Sequence, residues 1–485
     1  MSEDGKRRLI VGPFNRVEGD LEVRLTIADG RVKRAEVVST LFRGFERMLV
    51  GRKPEDALVF VPRICGICSV SQSVAAARML AALGGITPAP NGERAINLIH
   101  AAENAADHLT HFNLFFMADF TRPAYEARAW HGEACRRFAA GGGTSVRRAI
   151  EARAELLNIM GLIAGHWPHT LAIQPGGVTK APDGRDRVRL IAIARAFRAY
   201  VERALIGGSL DEFLALKDEA ELADWRCAAG DGDLRFFLDI ADDVGLAGLG
   251  RGQDLLMSAG AYPQDGTPLF RGGVLWRGMV MDFDDSGITE DVSHAYLTAA
   301  APEHPFDGWT EPDMNSSAAY SFCKAPRLDG RPAEVGALAR QVIGGQALVR
   351  AAYNAEGANV RSRVLARLVE LARLCVALEQ MAAALDPAAA FITHGAPVGT
   401  GRAFGACEAA RGTLGHWIVV EKGVIRNYQL VAPTTWNFSP RDETGQPGPL
   451  ERALEGTPIA PDEATPVAVQ HIVRSYDPCM VCTVH

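Results

Sequence analysis

The sequence predicts an α+β fold, mainly α, in which a central long-helix bundle is flanked by small N-terminal and C-terminal β regions. Three observations predict it. Residues 8–40 alternate apolar and polar positions in "LEVRLTIADGRVKRAEVV", with Asp29-Gly30 at the turn, as half-buried strands joined in a hairpin do. Beyond "FVPRICGIC" the period lengthens. "SVSQSVAAARMLAAL" and "GERAINLIHAAENAADHLTHFNLFFMADF" are rich in Ala and Leu and space their apolar residues as helices do. From 415 to 440 the strand pattern returns in "HWIVVEKGVIRNYQLVAPTTWN", with Gly423 at a turn.

The remaining elements follow in order. Helical stretches cover about 143–164, 186–205 and 333–385, the last interrupted at Gly344-Gly345 and Gly357. Residues 220–330 are rich in Gly, Pro and Asp and read as a mixed insertion packed on the helices. The expected division is therefore 1–62, an N-terminal β region; 63–219 with 331–414, the helical core; 220–330, the insertion; and 415–485, a C-terminal β region.

Bulk properties exclude several classes. A net charge of −7 without a long basic run argues against a nucleic-acid binder. No stretch reaches 18 uninterrupted apolar residues, so direct membrane insertion is not expected. "MSEDGKRRLIVG" has no apolar signal core, so a cytoplasmic location is expected. Nine cysteines, an odd and sparse set, fit a reducing compartment better than a disulfide framework.

Four of those cysteines form two doublets, Cys65 with Cys68 in "RICGIC" and Cys479 with Cys482 in "DPCMVC". They lie near opposite ends of the chain. A structural zinc site, an iron–sulfur site and buried thiols without metal all fit the spacing. Electrostatics adds one constraint. Four thiolates around a single divalent ion leave two negative charges in a buried site, and a second metal bridged by two sulfurs would relieve them. The first doublet also opens a predicted helix, whose N-terminus favours thiolate over thiol.

Seven blocks then occur in a fixed order: "RVEGD", "TLFRGFE", "RICGIC", "KAPRLDGRPAEVGALAR", "EAARGTLGHW", "APTTWNFSPRD" and "DPCMVCTVH". Together they resemble the large, catalytic subunit of nickel–iron hydrogenases, from residue 16 to residue 485. The resemblance implies that fold and a nickel–iron centre whose iron carries carbon monoxide and cyanide. It implies nickel ligation by Cys65, Cys68, Cys479 and Cys482, with Cys68 and Cys482 also bridging to iron. The implied reaction is heterolytic splitting of H2, in which a bound metal acts as Lewis acid and a nearby base takes the proton. The family assigns the base to the thiolate matching Cys479 and the next proton acceptor to Glu18; an arginine is also proposed as base. Arg411 matches the arginine over the open metal site, with Asp107 and Asp477 as its carboxylate partners. Thr434 would hydrogen-bond a cyanide ligand. The terminal His485, with Glu46 and the backbone carbonyl of Leu430, would hold Mg²⁺, a hard ion suited to oxygen ligands.

The sequence departs from the usual pattern at a few positions. Asp20 follows "RVEG" and Gln72 lies four past Cys68, both where histidine is usual. Ala410 and Thr170 stand in place of prolines. Ile67 and Phe115 resemble gas-channel positions that hold Val and Leu in oxygen-sensitive enzymes; their added bulk is read either as a passage that admits H2 and slows O2 or as ordinary core packing. Gln72, Ile67, Phe115 and the lack of residues after His485 resemble the regulatory, H2-sensing branch. An energy-conserving uptake enzyme is the alternative. A scaffold subunit like that of respiratory complex I is a third reading, which the four cysteines oppose.

The five other cysteines are scattered and could not hold a cluster for the electrons released. A partner small subunit with iron–sulfur clusters is therefore expected, facing the "RICGIC" side. A dimer of heterodimers and a sensor kinase are further partners within what the resemblance implies.

Overall fold

The computed structural model describes residues 7–228, 230–264, 266–298, 301–396 and 399–483. Strands β1 (Arg7–Val11), β2 (Leu21–Ala28) and β3 (Arg31–Ser39) form an antiparallel sheet in sequence order. Alternate residues of β2 are buried, which is the alternation read from the sequence. Asp29 and Gly30 both take left-handed backbone angles, as a two-residue hairpin turn requires.

The centre is helical. Helix α1 (Ser69–Leu83) is buried on almost every side, because Ala and Ser let neighbours approach all around it. Helix α2 (Pro90–Thr110) starts with proline at its first position, where the missing N–H is no loss, and runs on as one wide turn through Phe116. Helix α3 (Gly184–Tyr200) opens with a reciprocal cap between Asp183 and Asp186. Helix α4 (Val360–Ala384), the longest at 25 residues, opens with the same device between Asn359 and Ser362 and packs on α2 and α3. The interruptions read at Gly344-Gly345 and Gly357 separate Ala337–Ile343, Ala347–Glu356 and α4.

A second antiparallel sheet, β4 (Gly401–Ala409), β5 (Gly412–Glu421) and β6 (Val424–Val431), lies against α1. The approach is close enough that a Cβ on Gly405 would sit 2.2 Å from the Met79 nitrogen and 2.6 Å from the Ala75 oxygen. Only glycine fits there.

The C-terminal β region needs correction. It begins at Gly401, not 415, and its first strand falls inside the stretch assigned to the helical core. "GRAFGACEA" is built from small residues that suit contact with a helix but carry a weak hydrophobic alternation. After Val431 the chain is not β. Pro433–Asn437, Pro449–Leu454, α5 (Val467–Ser475) and Met480–Thr483 are helical. The stretch 220–330 holds both helix and strand. Asp233–Asp243 buries Phe237, Leu238 and Ile240 in the main core. Leu256–Ser258, Gly273–Trp276 and Met279–Met281 form a sheet completed by Glu334–Val335, next to the helical core.

A buried four-cysteine centre

The two doublets meet. The sulfurs of Cys65, Cys68, Cys479 and Cys482 all lie within 4.8 Å of one another, and all four residues are buried. The Sγ–Sγ separation is 3.4 Å for Cys65 to Cys479, 3.4 Å for Cys68 to Cys482 and 2.9 Å for Cys479 to Cys482. A disulfide needs about 2.05 Å, so these are four free thiols sharing one enclosed space. Their hydrogen-bond partners are largely each other. Cys65 is driven well below the ordinary thiol value by S–H donation from Cys479, Cys482 and Cys68. The same bonds, together with burial, push Cys68 and Cys482 well above it. Such a set suits soft metals that prefer thiolate, and nickel with iron fits its donors.

Each doublet is placed by a different part of the chain. Cys68 is the residue on which α1 starts, and Cys65 accepts from the Ile67 N–H at 3.3 Å. Cys479 and Cys482 sit on the last turn, paired with the β1–β2 loop. The Glu18 N–H donates to the Pro478 oxygen at 3.3 Å, and the Met480 N–H to the Glu18 oxygen at 2.7 Å. The Cys479 N–H donates to Thr434 Oγ1 at 3.2 Å. Glu18 is thereby held beside Cys479, and burial, then the nearby Cys65, raises its carboxyl above the usual range.

A charged roof covers the sulfurs. Arg411, buried in the turn between β4 and β5, donates to both oxygens of Asp107 at 2.7 and 3.2 Å. It also reaches the Asp477 carboxylate at 3.2 Å and the Asp477 carbonyl at 2.9 Å. Burial lifts Asp107 to about 7 against the pull of Arg411. Burial also lifts Asp477, yet Arg411, His111 and Arg367 together hold it below the usual value. Burial works against the Arg411 charge, but Asp107 and Asp477 outweigh it and raise its pKa well above the ordinary value.

Sequence reasoning missed three residues here. Arg43, inside the quoted "TLFRGFE", donates to the Ile64 oxygen at 2.5 Å and the Val481 oxygen at 3.2 Å, bridging both doublets. Arg367 donates to the Tyr476 oxygen at 3.0 Å beside Asp477. Glu103 caps α1. Arg43 stood in a motif already quoted; Arg367 and Glu103 look like ordinary helix charges in sequence.

The departures are placed as follows. Gln72 accepts from His416 Nε2 at 2.9 Å, and its own amide nitrogen is buried with no partner. Ile67 lies beside Cys65 and Cys68. Phe115 lies on the wide turn after α2, its oxygen accepting from Arg16 at 2.8 Å. Asp20 is exposed. The Ala410 oxygen accepts from Arg340 at 2.9 Å, and Thr170 donates to the Ala164 oxygen at 2.6 Å.

At the expected magnesium site, Glu46 and Leu430 do meet, but through the Leu430 N–H, which donates to Glu46 at 2.8 Å, not through its carbonyl. The backbone orientation along β6 turns that N–H toward the carboxylate. Glu46 also accepts from Thr310 and lies 3.3 Å from Lys324 Nζ, which itself reaches Glu290 at 3.0 Å. His485 lies outside the described residues.

Compared with protein families, the chain matches the nickel-dependent hydrogenases over residues 43–129 and 147–485. The chain belongs to the nickel-dependent hydrogenase family. It is 29% identical to the periplasmic [NiFeSe] hydrogenase large subunit of Desulfomicrobium baculatum, over 99% of this chain and 95% of that one. It is 27% identical to the hydrogenase-2 large chain of Escherichia coli K12, over 99% and 97%. Among solved structures, the reduced Ni-Fe-Se hydrogenase from D. vulgaris Hildenborough superposes with a TM-score of 0.84 at 27% identity, covering 99% of this chain and all of that one. The helical bundle with its two flanking sheets is thus the fold of the hydrogenase large subunits.

Proposed function

We propose that this chain is the H2-activating large subunit of a nickel–iron hydrogenase and that it serves as an H2 sensor in the cytoplasm. The observation that carries the first part is the convergence of two cysteine doublets from opposite chain ends beneath a buried arginine. Cys65, Cys68, Cys479 and Cys482 would hold nickel, with Cys68 and Cys482 shared with iron bearing carbon monoxide and cyanide. Such a pair supplies the Lewis acidity that polarises H2 for heterolytic splitting.

The protein's own groups handle the proton. The Cys479 sulfur lies 2.9 Å from that of Cys482 and its backbone pairs with Glu18, so it is placed to accept a proton and pass it toward Glu18. A raised carboxyl value suits Glu18 to hold that proton before release. Arg411, fixed by Asp107 and Asp477, brings a positive charge over the sulfurs in a site closed to water. Thr434 keeps its own O–H for a ligand while accepting from Cys479.

Partnership with a small subunit carrying iron–sulfur clusters is supported by the large-subunit names of the relatives and by the scatter of the other cysteines. No helix among the described residues is long and apolar enough to cross a membrane. Glu46 and His485 remain our proposal for a magnesium site, without the Leu430 carbonyl, since Leu430 turns its N–H to Glu46.

The sensor role rests on Gln72, Ile67 and Phe115. An uptake role is the second reading, favoured by relatives named as an uptake hydrogenase and a quinone-reactive hydrogenase. Two measurements decide. Infrared spectra of the purified complex should show carbonyl and cyanide bands with nickel and iron present; zinc alone would overturn the whole reading. A sensor should change the phosphorylation of a co-purifying kinase when H2 is supplied. Steady H2 oxidation coupled to a quinone, without such a change, would establish the uptake role instead.

A further inference from the structure

We infer that Glu103 is a positioning residue that clamps the start of α1, and with it Cys68, to the loop 166–169. The inference rests on the metal centre proposed above.

Helix α1 begins without a side-chain cap. Its first residue outside the helix is Cys68, whose side chain caps nothing because its sulfur faces the other three. The free N–H groups of a first turn must find partners when buried. They find Glu103, which reaches across from α2 and is 2% exposed. One carboxylate oxygen accepts from the Ser71 N–H at 3.0 Å and the Ser71 hydroxyl at 3.3 Å. The other accepts from the Val70 N–H at 2.9 Å, the Ser69 hydroxyl at 3.4 Å and the Trp167 indole N–H at 2.8 Å. Five donors thus converge on one side chain.

The Trp167 bond makes this more than a cap. Loop 166–169 is laid along the first doublet by other contacts as well. The His169 N–H donates to Ser69 Oγ at 3.3 Å, and His169 Nδ1 meets the Pro62 oxygen at 2.9 Å. Glu103 therefore joins α2, the start of α1 and this loop at a single point. One turn further along the same face of α2, Asp107 holds Arg411, which holds Asp477 two residues before Cys479. One rigid helix thus sets the first doublet through Glu103 and supports the second through Asp107.

Only a carboxylate serves. Glutamine has the same shape, but its amide offers one oxygen and turns two N–H donors toward donors already present. Glu103→Gln should then release the Val70 and Ser71 amides or Trp167 while keeping the volume filled.

The test uses the complete complex with its partner subunit and metals. Hydrogen exchange at Val70 and Ser71 and the infrared carbonyl and cyanide bands are recorded for wild type, Glu103→Gln and Trp167→Phe. The expected result is faster exchange at residues 70 and 71 in Glu103→Gln, with displaced bands. Trp167→Phe should loosen residues 166–169 and displace the bands less, in the same direction. Faster exchange with unmoved bands in both variants would show a plain structural cap and overturn the inference. Unchanged exchange would overturn the clamp itself. If Glu103→Gln does not fold, Trp167→Phe alone decides on the same two readouts. Absence of the bands from wild type would instead sink the metal-centre reading and is seen before any variant is measured.

Discussion

The two cysteine doublets supply equivalent sulfurs but are held in opposite ways. The first is fastened by side chains on the helical core: Cys68 starts α1, and Glu103 on α2 takes the N–H groups of its first turn. The second is fastened mainly by its backbone. The Glu18 N–H and oxygen bond to Pro478 and Met480, Thr434 accepts from Cys479, and Arg43 reaches the Val481 oxygen. Backbone pairing with a loop is weaker and easier to form late than a capped helix in a packed core. The first doublet is therefore tied to the helical core, and the second to the β1–β2 loop.

The sharpest way to break the comparison is to remove one sulfur from each side. Cys479→Ser and Cys68→Ser should both abolish nickel retention and H2 turnover, measured by metal content and gas uptake. They should differ in stability. Cys68 stands at the start of α1, where serine is itself a favoured cap, whereas Cys479 is wholly buried, so the thermal midpoint should fall further in Cys479→Ser than in Cys68→Ser. Equal midpoints would mean that the two doublets are anchored alike.

The next effect concerns the roof that spans both doublets. Arg411 makes a two-pronged contact with Asp107 that lysine cannot copy. Arg411→Lys should keep nickel and iron while lowering turnover about 10²-fold. A variant that turns over normally would remove the arginine from the chemistry.

Arg43 offers a smaller, more local probe. It donates to Ile64 on the first doublet's side and Val481 on the second's. Arg43→Ala should cost about 2 kcal/mol, the scale of lost charged hydrogen bonds. Hydrogen exchange should rise at 479–483 and stay unchanged at 69–73. A rise at both would contradict the division drawn here.

Legibility in the sequence follows the same divide. The hairpin around Asp29-Gly30 and the helices α1, α2 and α4 were readable because period, caps and turn residues agree locally. Strand β4 was not, because its Gly and Ala residues are dictated by contact with α1, a long-range fact. The helices after Val431 are short and stabilised by burial, so no period announces them. At the site, the cysteines, Arg411, Asp477 and Glu18 stood in ordered motifs, and Asp107 was reached only as the partner that the resemblance gives Arg411. Glu103 and Arg367 are charges on helices and become special only when a distant segment meets them.

A last test concerns how the N-terminal sheet, which carries Glu18 on its β1–β2 loop, is tied down. The buried Glu451 accepts from the Val37 N–H of β3 at 3.0 Å and from the Tyr320 hydroxyl at 2.8 Å. Burial raises its carboxyl to about 7, more than Val37, Tyr320 and Arg441 lower it. The folded value then exceeds the unfolded one, so the folded state holds this proton more tightly. The stability it contributes is full below about pH 4.5 and is lost as pH rises through about 7. The slope is at most one proton, about 1.4 kcal/mol per pH unit. Glu451→Gln keeps a neutral side chain at every pH and should remove that slope. The wild type minus variant difference in denaturant stability should therefore fall between pH 4.5 and 7 and stay level above it. A difference that rises over the same range would mean that the hydrogen bonds, not burial, govern this carboxyl, and that β3 is held by charge.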